Sequence, residues 1–212
     1  MQLYYQTHSP YARKVLVLAH EIGLADRLQV IHHETSPTQH NDVVFGANPL
    51  GKVPVLIFDD GFALFDSNVI CEYLDGLHAG ARRIPPTGRE RLRSLRLQAL
   101  AQGVADAGIA ARHEIERRPQ RYRYPAMRDG QLAKLAAAYD FLEHDAVELT
   151  PEAARAAQVD VGQIALATAL SWIEFRALPS FEAGHPRLSA WYRAFVARPS
   201  MRATPLTGNT VD

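Results

Sequence analysis

Three short segments carry the residues of this chain that could do chemistry: Ser9-Pro10-Tyr11-Ala12-Arg13, Asn48-Pro49-Leu50-Gly51-Lys52-Val53-Pro54, and Asp66-Ser67. Ser9 reads as a helix cap, because Pro10 suits the first helical position and serine is a favoured residue just before it. Free N–H groups and the helix dipole at such a start favour negative charge, so the Ser9 hydroxyl can donate to an anion there. Val53 precedes a proline and must be extended, which leaves its N–H and C=O able to pair with a peptide lying alongside. Asp66 and Ser67 open a further helix, where the Ser67 N–H and hydroxyl can hold a carboxylate while Asp66 pairs with an ammonium. The single cysteine, Cys71, falls among Ile70, Tyr73 and Leu74 and reads as packing. One cysteine excludes an internal disulfide, a CxxC pair and a cysteine-based zinc site, so any thiol chemistry needs a thiol brought in by a ligand. Nine histidines include no HExxH or other paired spacing, and no metal is expected.

These residues need elements to position them. Gln2 to Gln6 is a strand candidate, and the helix opened by Pro10 places Val15, Leu18, Ala19 and Ile22 on one buried face. Gly23 ends that helix, and Leu28 to Ile31 returns as a second strand, which predicts a right-handed β-α-β unit with a parallel pair. After a polar loop from Glu34 to about Asn41, the apolar run Val55 to Phe58 turns at Asp60-Gly61 into Phe62-Ala63-Leu64, an antiparallel hairpin. Asp66, Ser67 and Asn68 then cap a helix bearing Val69, Ile70, Tyr73, Leu74 and Leu77. The order predicts a mixed four-stranded sheet with helices over it. His78 to Pro86, rich in Gly, Pro and Arg, reads as a linker. Everything beyond reads as helix, over about Thr87–Arg117, Gln131–Leu149 and Pro186–Ala197, with a central buried helix after Asp160-Val161-Gly162-Gln163. That tetrapeptide fits a capping box, with Asp160 on the N3 amide and Gln163 reaching back.

Length and composition agree. The 212 residues, 47% of them hydrophobic, fit one large or two small domains with an ordinary core. The formal charge of zero hides an asymmetry: between Arg82 and Arg128 twelve arginines stand against Glu90, Asp106, Glu114 and Glu116, a net of +8, and the remainder is acidic by the same amount. No stretch approaches the roughly 18 uninterrupted apolar residues of a membrane span, and no basic leader with an apolar core opens the chain. A cytoplasmic protein without membrane or nucleic-acid partners is expected.

The order and spacing of Ser9-Pro10-Tyr11-Ala12-Arg13-Lys14-Val15, Asn48 to Pro54 and Asp66-Ser67, ahead of an all-helical second half, resemble the soluble glutathione transferases, particularly the bacterial serine-type members. The resemblance implies an α/β thioredoxin-like N-terminal domain over 1–78, ordered β-α-β-α-β-β-α, a linker over 79–86, and an all-α domain over 87–212 that supplies an electrophile pocket and dimer contacts. It implies a homodimer that binds glutathione as cosubstrate and conjugates it to small hydrophobic electrophiles in detoxification, with peroxide reduction as a further activity. The alternative is a non-catalytic adaptor or ligand-binding protein on the same fold, since fold does not dictate function.

Glutathione offers two carboxylates, an ammonium and a thiol. A thiol of pKa about 8.5 is only a few per cent ionised at neutral pH, and lowering it by about two units takes roughly 2.7 kcal/mol of preferential anion stabilisation. Ser9 is the residue expected to supply it, with Arg13 one turn on as support, or else as a solvated arginine. Tyr5 is the alternative, because other glutathione transferases use a tyrosine at the end of the first strand; alternation buries either Tyr4 or Tyr5, which favours a core role. Val53 and a Pro54 that the resemblance makes cis pair with the tripeptide backbone, while Asp66 and Ser67 take the γ-glutamyl end. Lys52, and less directly His40, can take the glycyl carboxylate, although a solvated lysine fits equally. Tyr11 borders both substrates. Ala107 and Ala111, with Gly108 and Ala110, either line an electrophile cleft or let helices approach.

Overall fold

The computed structural model describes residues 1–144, 146 and 148–210. Four strands, β1 (Gln2–Tyr5), β2 (Gln29–His32), β3 (Val55–Ile57) and β4 (Ala63–Leu64), form one sheet in the order β2-β1-β3-β4. β1 and β2 run parallel with Leu3 opposite Val30, whereas β1/β3 and β3/β4 are antiparallel with Leu3 opposite Leu56 and Leu56 opposite Leu64. The parallel pair follows from the intervening helix α1 (Pro10–Glu21), and the β3/β4 hairpin turns at Asp59 to Gly61, where Gly61 adopts φ +86°. Helix α2 (Asp42–Ala47), capped by Asn41, precedes β3, and α3 (Ser67–Asp75), capped by Asp66, follows β4. Leu3, Val15, Leu18, Leu56, Ile70 and Leu74 are fully buried between sheet and helices; each such side chain contributes about 1.5–3 kcal/mol on burial.

The segment between α3 and the next helix is tied down rather than loose. The buried Asp75 carboxylate accepts from the backbone N–H of Arg83 (2.7 Å) and of Ile84 (3.1 Å), and lies 3.2 Å from His78 Nε2. Arg83 in turn donates to the Glu21 carbonyl at 2.8 Å, and its own carbonyl accepts from Val161.

The second half is helical: α4 (Gly88–Arg112), α5 (Pro125–His144), α6 (Pro151–Arg155), α7 (Val161–Phe175), α8 (Pro186–Val196) and α9 (Pro199–Arg202). The helix expected to reach Arg117 ends in one π turn over His113–Arg117, closed by an Arg118 N–H bond to the His113 carbonyl at 2.7 Å. α5 begins six residues earlier than expected, at Pro125, and ends at His144; of its expected C-terminal stretch, Asp145 and Val147 lie outside the described residues. α6 and α9 were not expected, although Thr150-Pro151 and Pro199 are cap and first-position residues. α7 carries the full capping box between Asp160 and Gln163, and twelve of its fifteen residues are buried. It crosses α4 closely, because a Cβ on Gly162 would stand 2.5 Å from the Ser94 carbonyl oxygen and one on Gly108 2.7 Å from Ile173. Both halves share one hydrophobic core, joined where α1 packs on α7.

Candidate functional site

A cleft of about 880 Å³ opens between the sheet domain's loops and helices α4 and α7. A smaller recess of about 400 Å³ between Met1 and Asp59, at the opposite end of β1, is polar and brings no nucleophile together with a donor set.

Ser9 lies in the cleft, 8% exposed, as the cap of α1. Its Oγ accepts from the Ala12 N–H at 3.2 Å, and its own hydroxyl proton has no acceptor among the described residues. A hydroxyl that already accepts a bond and has a spare proton at a helix start is a donor waiting for an anion. Val53 also borders the cleft, across a cis peptide bond to Pro54. Neither its N–H nor its C=O has a protein partner among the described residues. The loop before it is shaped by buried Asn48, whose amide donates to the Lys52 carbonyl at 2.9 Å and accepts from Leu50 N–H at 3.0 Å. Gly51 needs its φ of +59°, and a Cβ there would run into the Phe45 ring. Lys52 and His40 line the same wall; His40 stacks on Phe45 at 4.0 Å and sits 3.1 Å from Asp42.

Asp66 and Ser67 complete the group. Asp66 caps α3 by accepting from Asn68 N–H at 2.9 Å, and Ser67 is buried beside it with no side-chain bond among the described residues. Asn68 ties this corner together: it accepts from the buried Lys14 ammonium at 2.7 Å and donates to Gln102 of α4 at 2.8 Å. Burial lowers the Lys14 pKa, against the pull of nearby Cys71 and Asp66. Tyr11 reaches across the cleft and donates its hydroxyl to Asp106; burial and that bond raise its pKa, so it stays protonated.

Four expected residues lie elsewhere. Tyr5 is buried in the sheet core and does not border the cleft; burial raises its pKa, against the nearby Arg13 charge. Arg13 turns away from Ser9 and donates to Ser171 Oγ (2.6 Å), the Met201 carbonyl (3.0 Å) and Thr204 Oγ1 (3.4 Å), which joins α1 to α7 and α9. Ala107 and Ala111 are buried against the helical core with Gly108, and it is the neighbouring Ala110 that borders the cleft. Cys71 is fully buried with its thiol pushed up to about 11 by burial, and so stays inert.

Sequence reasoning missed the rest of the helical wall. Beside Ala110, which was among the small residues expected there, Gln102, Asp106, Ile109, His113 and Arg117 border the cleft, at i, i+4, i+7, i+11 and i+15. That period was readable in the chain. His8, Trp172 and Arg176 join them, with Trp172 Nε1 donating to the His8 carbonyl at 3.0 Å. Burial, with Arg176 and Arg112 nearby, pushes His8 down to about 4 despite the opposing pull of Glu34.

The model of the glutathione S-transferase N-terminal domain matches residues 8–77. The uncharacterized GST-like protein YibF of Escherichia coli K12 is 30% identical over 197 residues, covering 92% of this chain and 94% of the relative. The chain belongs to the glutathione transferase family. A glutathione transferase family member from Pseudomonas fluorescens Pf-5, solved with bound glutathione, is 37% identical and superimposes with a TM-score of 0.90 over 98% of this chain and 99% of its own. The form with bound S-(propanoic acid)-glutathione is 38% identical, with a TM-score of 0.85 over 98% and 100%. The four-stranded mixed sheet with α1 to α3 is thus the thioredoxin-like half of a glutathione transferase, followed by its helical half.

Proposed function

We propose that this protein binds glutathione, holds its sulfur as a thiolate against Ser9, and transfers it to small electrophiles. One observation carries the reading: the spare Ser9 hydroxyl, the unpaired Val53 backbone and the Ser67 and Asp66 pair at the start of α3 all meet in a single cleft. That set matches a thiol, a peptide backbone and an α-amino acid head, which is the chemistry of the tripeptide. Lys52 and His40 stand where the loop wall can offer positive charge to the glycyl carboxylate, and Tyr11 borders the second substrate.

The magnitudes suffice without a basic residue. A charge-assisted hydrogen bond contributes about 1.5–3 kcal/mol and a helix N-terminus about 0.3–1 kcal/mol, together near the roughly 2.7 kcal/mol that a two-unit drop in thiol pKa requires. Glutathione supplies the nucleophile, and the protein supplies position and electrostatics. Peroxide reduction by the same thiolate, a homodimer and a cytoplasmic setting belong to this reading, as does a division of labour in which 1–78 binds glutathione, 79–86 links, and 87–212 shapes the second pocket.

Retention on glutathione resin together with turnover of 1-chloro-2,4-dinitrobenzene supports the proposal. A protein that passes through the resin and turns nothing over sinks it, and points instead to an adaptor that kept the fold.

A further inference from the structure

We infer that the second substrate is anionic: an electrophile carrying a carboxylate or similar group, docked on a cationic end of the cleft formed by Arg112 and Arg176, with the uncharged His8 imidazole beside them as a further hydrogen-bonding group. The inference rests on the glutathione reading above and names the substrate class of that same site.

His8 is only 5% exposed, borders the cleft one residue before Ser9, and both its ring nitrogens lack a hydrogen-bond partner among the described residues. Arg176 lies one turn beyond Trp172 and borders the same cleft. Its Nε and Nη2 are also without hydrogen-bond partners among the described residues. These two atoms form the side edge of the guanidinium, the edge that grips a carboxylate with two parallel bonds. The remaining arm of Arg176 makes long bonds, 3.5 Å to the Gly208 carbonyl and 3.3 Å to Asn209, and the guanidinium lies over the exposed Phe175 ring at 4.5 Å. Turning the edge toward a ligand therefore gives up little. Arg112 and Arg117 bring further positive charge from the end of α4.

The neighbouring acids do not cancel this. Glu116 pairs with Arg112, and Glu34 is shared by His32 (2.7 Å), Gln6 (2.7 Å) and His8 (3.8 Å). Among the described residues, Arg176 forms an ion pair with neither carboxylate. Asp106 is taken by Tyr11 and lies six residues before Arg112 on α4, about 9 Å along the helix. Arginines at the ends of α4 and α7 also complement the helix dipoles. That ordinary role explains their presence but not a buried guanidinium edge and a buried imidazole left without partners, which folded proteins rarely tolerate.

In the transfer step the thiolate forms the C–S bond as a halide leaves with the C–X electron pair, and the thiol proton goes to solvent. The carboxylate does not react. It holds the electrophile beside the sulfur, so that position comes from a charge remote from the reacting carbon.

The test is titration calorimetry on the whole protein with glutathione, with S-(carboxyalkyl)glutathiones of increasing arm length, and with the matching primary amides. At the best arm length the carboxylate binds at least tenfold tighter than its amide. Arg176→Gln brings the two within about twofold while glutathione affinity changes less than twofold; Arg176→Lys, which keeps the charge and loses the fork, retains part of the preference. Turnover follows the same order: Arg176→Gln lowers kcat/KM for 4-chloro-3,5-dinitrobenzoate at least tenfold more than for its methyl ester. Equal binding of acid and amide at every length overturns the inference, as does an Arg176→Gln variant that loses glutathione itself, since the cations would then serve the tripeptide. Wild-type protein that binds none of these ligands overturns the glutathione reading beneath it.

Discussion

The indole N–H of Trp172 donates to the carbonyl of His8 at 3.0 Å, so the helical half holds the loop that ends in Ser9. Both residues are buried, and the His8 carbonyl has no other partner among the described residues. Trp172→Phe keeps the ring but orphans that carbonyl, at about 1–3 kcal/mol. Denaturant unfolding of the variant should show a loss in that range; an unchanged midpoint would mean that the bond does not tie the halves together.

Removing the Ser9 hydroxyl takes away both the proposed donor to sulfur and the bond that caps α1. Ser9→Ala should raise the pKa of bound glutathione by about one to two units, each unit being roughly 1.4 kcal/mol, and lower stability by about 1 kcal/mol. Titrating the ultraviolet absorbance of the bound thiolate reads the first effect. Tyr5→Phe is the control, because Tyr5 lies in the core away from the cleft; a shift in the tyrosine variant and none in the serine variant would reverse the assignment.

Arg13 separates structure from catalysis. Its guanidinium is committed to Ser171, Thr204 and the Met201 carbonyl, so Arg13→Met should cost about 2–4 kcal/mol of stability by leaving buried acceptors unpaired. The thiolate pKa of glutathione bound to the variant should stay within a few tenths of a unit of wild type. A large upward shift would place Arg13 back beside the sulfur.

Glu21 provides a pH-dependent clamp between α1 and the C-terminal helices. Burial acts to raise its pKa, but bonds from Arg198 (2.7 and 2.8 Å) and Ser200 (2.5 Å) and the charge of Arg83 outweigh it, so the folded value is depressed. Its contribution is therefore complete above the unfolded value of about 4.3 and is lost as pH falls through the lower folded value. Glu21→Gln should be less stable than wild type at pH 7, with the gap closing below about pH 4. A gap that stays constant from pH 7 to pH 3 would exclude the linkage.

Elements with local signals were readable from the chain alone. Ser9-Pro10, Asp60-Gly61 and the Asp160 to Gln163 box each bring their own cap or turn chemistry, and each sits in the structure where that chemistry puts it. The cleft residues on the sheet side follow from the same signals. What was not readable depends on side-chain direction across the two halves. Arg13 is one turn from Ser9, which invites a shared role, yet its long side chain runs back to α7 and α9. Ala107 and Ala111 are small, and size alone does not say which face of α4 they occupy. His8 and Arg176 are 168 residues apart and border one cleft where Trp172 docks on the Ser9 loop.

Helix α4 presents two faces. Val104, Ala107, Gly108 and Ala111 are buried on the side that meets α7, where an added methyl group at Gly108 has no room, while Gln102, Asp106 and Ile109, with His113 of the π turn beyond, border the cleft. The first set is bound by close packing; in the second, Gln102 and Asp106 hold Asn68 and Tyr11, and Ile109 and His113 border the cleft itself. Substitutions on the open face can thus change the partner molecule while the buried face continues to hold the two halves in register. A single helix in this way lets substrate preference drift under selection without the fold having to be solved again.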